Sequence, residues 1–127
     1  MHYVSNGMER EWRFYLTDMI SFAEKVLLYT HELNQKKFVT SGLNYDATVR
    51  NLKLIGEAAT RIHDSIRSAN PQIPWRMIIA TRNRLIHGYL GIDEDTLWSI
   101  IQDDVPPLLT ALTELYKTHP MPSPQDE

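Results

Sequence analysis

The chain contains no cysteine, which removes disulfide frameworks, thiolate zinc sites and cysteine nucleophiles at once. Long apolar runs are missing too. None exceeds four residues, as in Val26-Leu27-Leu28-Tyr29 and Met77-Ile78-Ile79-Ala80, against about 20 for a membrane-spanning helix. Met1 to Met8 carry neither a basic start nor an apolar stretch, so no secretion signal and a cytoplasmic location are expected. No segment alternates apolar and polar residues in the manner of a half-buried strand. What remains is a chain of 127 residues, 43% hydrophobic and 23% charged, close to globular averages. That length suits one domain, able to bury roughly two thirds of the surface its unfolded form exposes.

Excess positive charge is also lacking: 13 Lys and Arg against 16 Asp and Glu give a net charge of −3. Taken alone, that argues against a nucleic-acid partner, which calls for surplus cations. The average hides a split. Asn34 to Ile92 holds nine basic and three acidic residues, a charge of +6, whereas Asp93 to Glu127 holds one and eight, a charge of −7. Such a division either places a positive field on an acidic protein or reflects solvated faces that merely differ.

Apolar residues recur at steps of three and four. Trp12, Leu16, Met19, Ile20, Ala23, Val26, Leu27, Thr30 and Leu33 mark a helix from about Glu9 to Leu33. Asn34 to Asn44 has no period and reads as a connection. Leu52, Ile55, Ala59, Ile62, Ile66 and Ala69 predict a second helix from a cap at Asp46 to Ala69, ended by Asn70-Pro71. Pro74 suits the first turn of a third, running through Trp75, Ile78 and Ile79 toward Gly88 and Gly91. Asp93 opens a fourth with the stripe Leu97, Ile101, Val105, Leu108, Leu112 and Leu115, which Pro106 and Pro107 should kink or split. The expected fold is all-α, an antiparallel bundle of four to five helices. The expected division is an extension over 1–8, a helical domain over 9–118 and a proline-rich tail over 119–127.

One feature of the third helix conflicts with simple packing. Ile78, Arg82, Leu85 and Tyr89 share a face, so a guanidinium lies on an apolar stripe, a costly position unless an anion meets it. A carboxylate such as Glu57, in the apolar run Ile55-Gly56-Glu57-Ala58, would supply that anion and make the arginine structural. His87 follows five residues on, about 140° around an ideal helix. The two converge only if the helix breaks before His87 or if partner groups come from another chain. Arg82, Asn83, Arg84, His87 and Tyr89 nevertheless gather cations, an amide and a phenol within eight positions. The set suits phosphodiester cleavage. An imidazole titrating near neutrality takes a proton from a ribose 2′-hydroxyl, and a guanidinium stabilises charge developing on the phosphate. His2, His31, His63 and His119 are scattered without metal-ligand spacing, so metal-free chemistry is the simpler expectation.

The segment Arg82-Asn83-Arg84-Leu85-Ile86-His87-Gly88-Tyr89 resembles the Arg-x4-His-x-Tyr motif of HEPN-domain toxins of the HepT type. Arg50-Asn51-Leu52-Lys53-Leu54-Ile55-Gly56-Glu57-Ala58, Ile73-Pro74-Trp75-Arg76, Trp98 and Asp104-Val105-Pro106-Pro107-Leu108 resemble the same family in the same order, over roughly Met8 to Tyr116. Val39 to Asn44 departs from it. The resemblance implies a helical homodimer whose motifs face each other in a composite ribonuclease site acting on RNA. Arg82 and His87 are then the catalytic pair and Asn83 a supporting group; the cationic Arg84 and Arg76 are candidates for contacts to RNA phosphates. No metal or cofactor is implied for cleavage, whose product would carry a 2′,3′-cyclic phosphate. A partner nucleotidyltransferase antitoxin of the MNT type is implied to use ATP and Mg to place AMP on Tyr89, with dimers alone or in a higher assembly with it, and no membrane. Two other readings compete: a non-catalytic nucleotide- or RNA-binding module serving that nucleotidyltransferase, and a helical interaction domain with a buried arginine.

Overall fold

The apolar stripes of the sequence become the inner faces of packed helices. The computed structural model describes residues 2–87 and 92–120, with side chains from residue 12. The expected stops at Gly88 and Gly91, and the tail beyond Pro120, lie outside the described residues. Among the described residues every regular element is helical: α1 (His2–Thr30), α2 (Gln35–Thr40), α3 (Gly42–Thr60), α4 (Asp64–Ala69), α5 (Trp75–Ile86), α6 (Glu94–Ser99), a π-helical turn (Ile100–Asp104) and α7 (Val105–Thr118). No described helix is long and apolar enough to cross a membrane.

Helices α1 and α3 run antiparallel. Asn44 at the start of α3 donates from Nδ2 to the Tyr29 carbonyl at the end of α1, at 2.8 Å. Helix α7 is also antiparallel to α1, because the rings of Trp12 and His119 meet edge to face with centroids 5.7 Å apart. Leu16, Met19, Ile62, Ile101 and Leu112 are wholly enclosed between these elements. Each buried aliphatic side chain of this size stabilises the fold by about 1.5–3 kcal/mol.

Four helical boundaries differ from those the periodicity predicts. Helix α1 begins at His2, not about Glu9, and ends at Thr30; a stripe whose first member is Trp12 carries no information on the turns before it. Asn34 to Asn44 is not a bare connection. Asn34 caps α2 by accepting the Lys37 N–H, and the six-residue helix is held by tertiary burial of Phe38 against the rings of Tyr45 and Trp98. The expected helix over 46–69 is two helices, and Asp46 lies inside α3 rather than at its cap. His63 breaks the run by accepting the Ser65 N–H and capping α4; Ile62 before the break is buried and Ile66 after it half-buried, whereas Ala69, expected on the same stripe, is exposed because α4 turns away from the core. The proline effect takes the form of a π-helical turn. Val105 N–H reaches back to the Ile100 carbonyl, a wider turn ahead of two residues that have no N–H to give. Ile101 and Val105 remain on the core side.

Asp93 caps α6 as expected, its Oδ1 accepting the Thr96 N–H at 2.7 Å. That backbone bond, then the Thr96 hydroxyl, and more weakly the charge of Arg84, hold the Asp93 carboxyl below its ordinary value. A depressed folded-state pKa stabilises above the unfolded value and loses that contribution as pH falls through the folded one. Asp93→Ala is therefore expected to melt a few degrees lower at pH 7. The difference from wild type should narrow once the pH drops below about 4; thermal unfolding of both proteins across that range checks it, and a constant gap would contradict it.

Candidate active site

The site begins at a point where α3 and α5 come unusually close. A Cβ added to Gly56 on α3 would lie 2.2 Å from Cβ of Arg82, 2.8 Å from its Cγ and 3.1 Å from the Ile78 carbonyl oxygen on α5. Only hydrogen fits there, so glycine in the middle of a helix has a packing reason. The next residue, Glu57, turns its carboxylate to the same crossing. Arg82 Nη2 donates to Glu57 Oε2, and Arg82 Nη1 donates to Asn83 Oδ1 at 2.7 Å. The other Glu57 oxygen lies 3.7 Å from Nη2 of Arg61, one turn along α3. One carboxylate thus sits between two guanidiniums.

Arg82 is held mainly by packing and by two partners. Its side chain is 25% exposed, and its Nε–H is buried with no hydrogen-bond partner, a cost of about 1–3 kcal/mol. The Glu57 partner weighed from the sequence is therefore present, and the guanidinium emerges toward Asn83. Asn83 is exposed on α5, as is His87 four residues later, a spacing that puts the two on one side of a helix. Helix α5 ends at Ile86, and His87 is its C-cap. Of the two ways for Arg82 and His87 to converge, the break before His87 is real, yet among the described residues no hydrogen bond joins them. Asn83 is bonded to Arg82 and shares the side of α5 on which His87 lies.

The remaining predicted residues spread outward. Arg84 is exposed in the last turn of α5 and contributes to the low pKa of Asp93. Arg76 is exposed in the first turn of α5. Tyr89 lies outside the described residues. Sequence reading passed over Gly56 and Arg61. The i, i+4 spacing of Glu57 and Arg61 was available as a signal, whereas the closeness at Gly56 belongs to a contact between helices. Among the described residues no three His, Asp or Glu side chains gather as metal ligands would. The arrangement holds a guanidinium in a fixed place beside an exposed amide, with an exposed imidazole one turn further along, which suits an anionic phosphate with a proton to be moved.

Residues 19–115 match the family described as ribonuclease HepT-like. The chain belongs to that family. The match takes in the α3–α5 crossing and the whole of α5, so Gly56, Glu57, Arg82 and His87 all fall within it. The chain is 33% identical over 110 residues to a protein named "Probable ribonuclease HepT" from Thermococcus cleftensis, covering 87% of this chain and 100% of that one. A candidate RNase of Methanocaldococcus jannaschii is 35% identical over 98 residues, 77% of this chain and 90% of its own. Another, from Caldanaerobacter subterraneus subsp. tengcongensis, is 28% identical over 103 residues, 81% and 92% of the two chains. No solved structure matches the chain significantly. The HepT-like assignment agrees with the all-helical bundle and with the resemblance carried by Arg82 to Tyr89.

Because the HepT-like crossing leaves no room at Gly56, Gly56→Ala is expected to lower unfolding free energy by about 1–3 kcal/mol. This loss comes in spite of the roughly 1 kcal/mol that alanine gains over glycine in a helix. Urea denaturation measures it; an unchanged or raised midpoint would mean that Arg82 gives way without cost.

Proposed function

We propose that this HepT-like protein is a metal-independent endoribonuclease, acting in the cytoplasm as the toxin of a toxin–antitoxin pair. The observation that carries the reading is the Arg82 guanidinium, fixed by Glu57 at a glycine crossing and bonded through Asn83 toward the side of α5 where His87 is exposed. His87 takes the proton of a ribose 2′-hydroxyl, and the 2′ oxygen attacks phosphorus. The bond to the 5′ oxygen breaks, and that oxygen takes up a proton from water or an imidazolium. The products are a 2′,3′-cyclic phosphate and a 5′-hydroxyl end. Arg82 stabilises the charge on the non-bridging oxygens as it grows.

Two copies complete the site. Ala80, Asn83, Ile86 and His87 form an exposed side of α5, small and partly apolar, and pairing through it brings two sets of Arg82 and His87 to one cleft. Control lies at Tyr89, whose phenolic oxygen attacks the α-phosphorus of Mg-bound ATP in an MNT-type nucleotidyltransferase, releasing pyrophosphate. The added AMP brings bulk and negative charge to a site that must admit a phosphate.

The Glu57 carboxylate on Arg82 favours a second reading, because it neutralises the guanidinium before any phosphate arrives. In that reading the protein is a binding module that serves the nucleotidyltransferase and cleaves nothing.

Protein made without the antitoxin is expected to cleave total cellular RNA in excess EDTA and to leave cyclic phosphate ends. His87→Ala should cut the rate by about 10²–10⁴-fold while leaving the melting temperature near wild type, since His87 is exposed at a helix end. Full cleavage by His87→Ala would remove it as the base. RNA binding without cleavage by wild type, surviving His87→Ala but lost in Arg82→Ala, would establish the binding module instead. Incubated with ATP, Mg and an MNT-type nucleotidyltransferase, wild type should gain the mass of one or more AMP units and lose activity. Tyr89→Phe should stay unmodified and active under the same conditions, and modified Tyr89→Phe would move the control point elsewhere.

A further inference from the structure

The sides of α4 and α5 away from the core form an open groove of about 1030 Å³ that starts at Asn83 and includes Arg76 and Arg67. A second hollow of about 350 Å³, between Trp12 in the first half of α1, the end of α3 and the start of α4, includes Arg61, His63 and again Arg67. Asp64 and Arg67 line both, so the two hollows adjoin and together make up a trough. Asp64 is the only carboxylate among the lining residues, against the three arginines Arg61, Arg67 and Arg76. Asp64 pairs with Arg67 and holds a guanidinium that is only 25% exposed. Arg76 makes no ion pair with any described residue and is exposed. Pro71, Ile73, Pro74 and Ile79 line the trough between the charges.

From Asn83 back to Arg76 is seven residues of α5, about 10 Å, and from there the arginines continue onto α4 and the end of α3. At the far end Arg61 touches Glu57, the residue that holds Arg82. The arginines therefore run in succession from the hollow beside Asn83 to Arg61, with Arg67 and Arg61 each held by one carboxylate, Asp64 and Glu57, and Arg76 unpaired among the described residues. An elongated, open, cationic channel with apolar walls fits a chain of phosphates whose bases rest on apolar surface, whereas a small anion would use one of these arginines and leave the rest idle.

We propose that this trough binds the backbone of single-stranded RNA flanking the cleaved bond, with Arg76, Arg67 and Arg61 as successive phosphate contacts. The assignment rests on the ribonuclease reading for its substrate, and it extends that reading to residues on α3 and α4 remote from the Arg82–His87 segment. It makes affinity depend on RNA length, because a short oligomer fills the site beside Asn83 and never reaches Arg67.

The test uses the full chain carrying His87→Ala, so that RNA stays intact, and fluorescein-labelled oligouridine of 12 and of 3 nucleotides in EDTA. Arg76→Ala and Arg67→Gln are each expected to weaken binding of the 12-mer about fivefold and to reduce the slope of log Kd against log salt by about 0.7. Binding of the 3-mer should change less than twofold in Arg67→Gln. Arg67→Lys, which keeps the charge, should stay within twofold of the parent, and so should Lys36→Ala, which removes a charge on α2 outside the trough. Arg76→Ala is the decisive variant because an exposed, unpaired side chain can be lost without unfolding the protein. Unchanged 12-mer affinity and salt slope in Arg76→Ala and Arg67→Gln overturn the proposal, and so does a change in sedimenting mass with RNA binding intact, which would give the face to a second copy. Cleavage of total RNA by the wild-type chain, run in parallel, separates the two claims. Cleavage without arginine-dependent length effects keeps the ribonuclease and discards the trough. Arginine-dependent binding without cleavage keeps the trough as an RNA surface and discards the ribonuclease.

Discussion

The polar chemistry of this protein depends on the missing side chain at Gly56. With a methyl group there, Arg82 would be displaced from its Cβ outward, and the distance between α3 and α5 would grow. Close approach lets Glu57 meet the Arg82 guanidinium directly, and Glu57 in turn reaches Arg61. A charge on an apolar stripe, which looks like a defect in the helical pattern, is thereby anchored with its outer nitrogen turned to Asn83. The Arg82 Nε left without a partner shows that packing rather than full hydrogen bonding sets the position. The guanidinium accepts an unsatisfied donor in return for a fixed direction.

Around that anchor the charges are distributed by which side of the bundle they occupy. The middle of the chain, at +6, does not spread its arginines evenly. Arg61, Arg67 and Arg76 line adjoining hollows, where Glu57 meets Arg61 and Asp64 meets Arg67 while Arg76 has no ion pair with a described residue. The acidic stretch that follows is used at a helix start, where Asp93 caps α6 and Asp95 accepts from Gln35 on α2 at 2.5 Å. Both readings of the charge split find support: Arg76 is exposed with no ion pair to a described residue, whereas Arg61 and Arg67 face Glu57 and Asp64, and Arg84 acts on Asp93 of the acidic segment. Surface potential, not net charge, is what a polyanion meets.

Much of the fold was legible beforehand. The buried faces of α1, α3, α5 and α7 follow the stripes closely, and Leu97, Ile101, Val105, Leu108, Leu112 and Leu115 are all buried. Short elements were not legible, because six residues of α2 or α4 hold less than two turns of period. Helix α2 exists because Phe38 finds a pocket between Tyr45 and Trp98, contacts to residues 7 and 60 positions away. The break at His63 was hidden for the opposite reason, since Ile62 keeps the period while the backbone leaves the helix. In the candidate site the Arg82–Glu57 pair was foreseen from two residues that each looked out of place. Asn83 was placed by motif, and its bond to Arg82 is a matter of geometry.

Composition and periodicity by themselves determined the helical class, the core and the segment that bears the chemistry, because helix period and residue polarity are local properties carried by near neighbours. The ordered likeness of Arg50 to Leu108 to one family was likewise a property of the chain alone. Only the tertiary structure decided that Gly56 is a crossing, that Glu57 stands between Arg82 and Arg61, and that three separated arginines line two adjoining hollows. Those are distances between elements far apart in sequence, and they follow from how closely two helices can approach, which no single helix encodes.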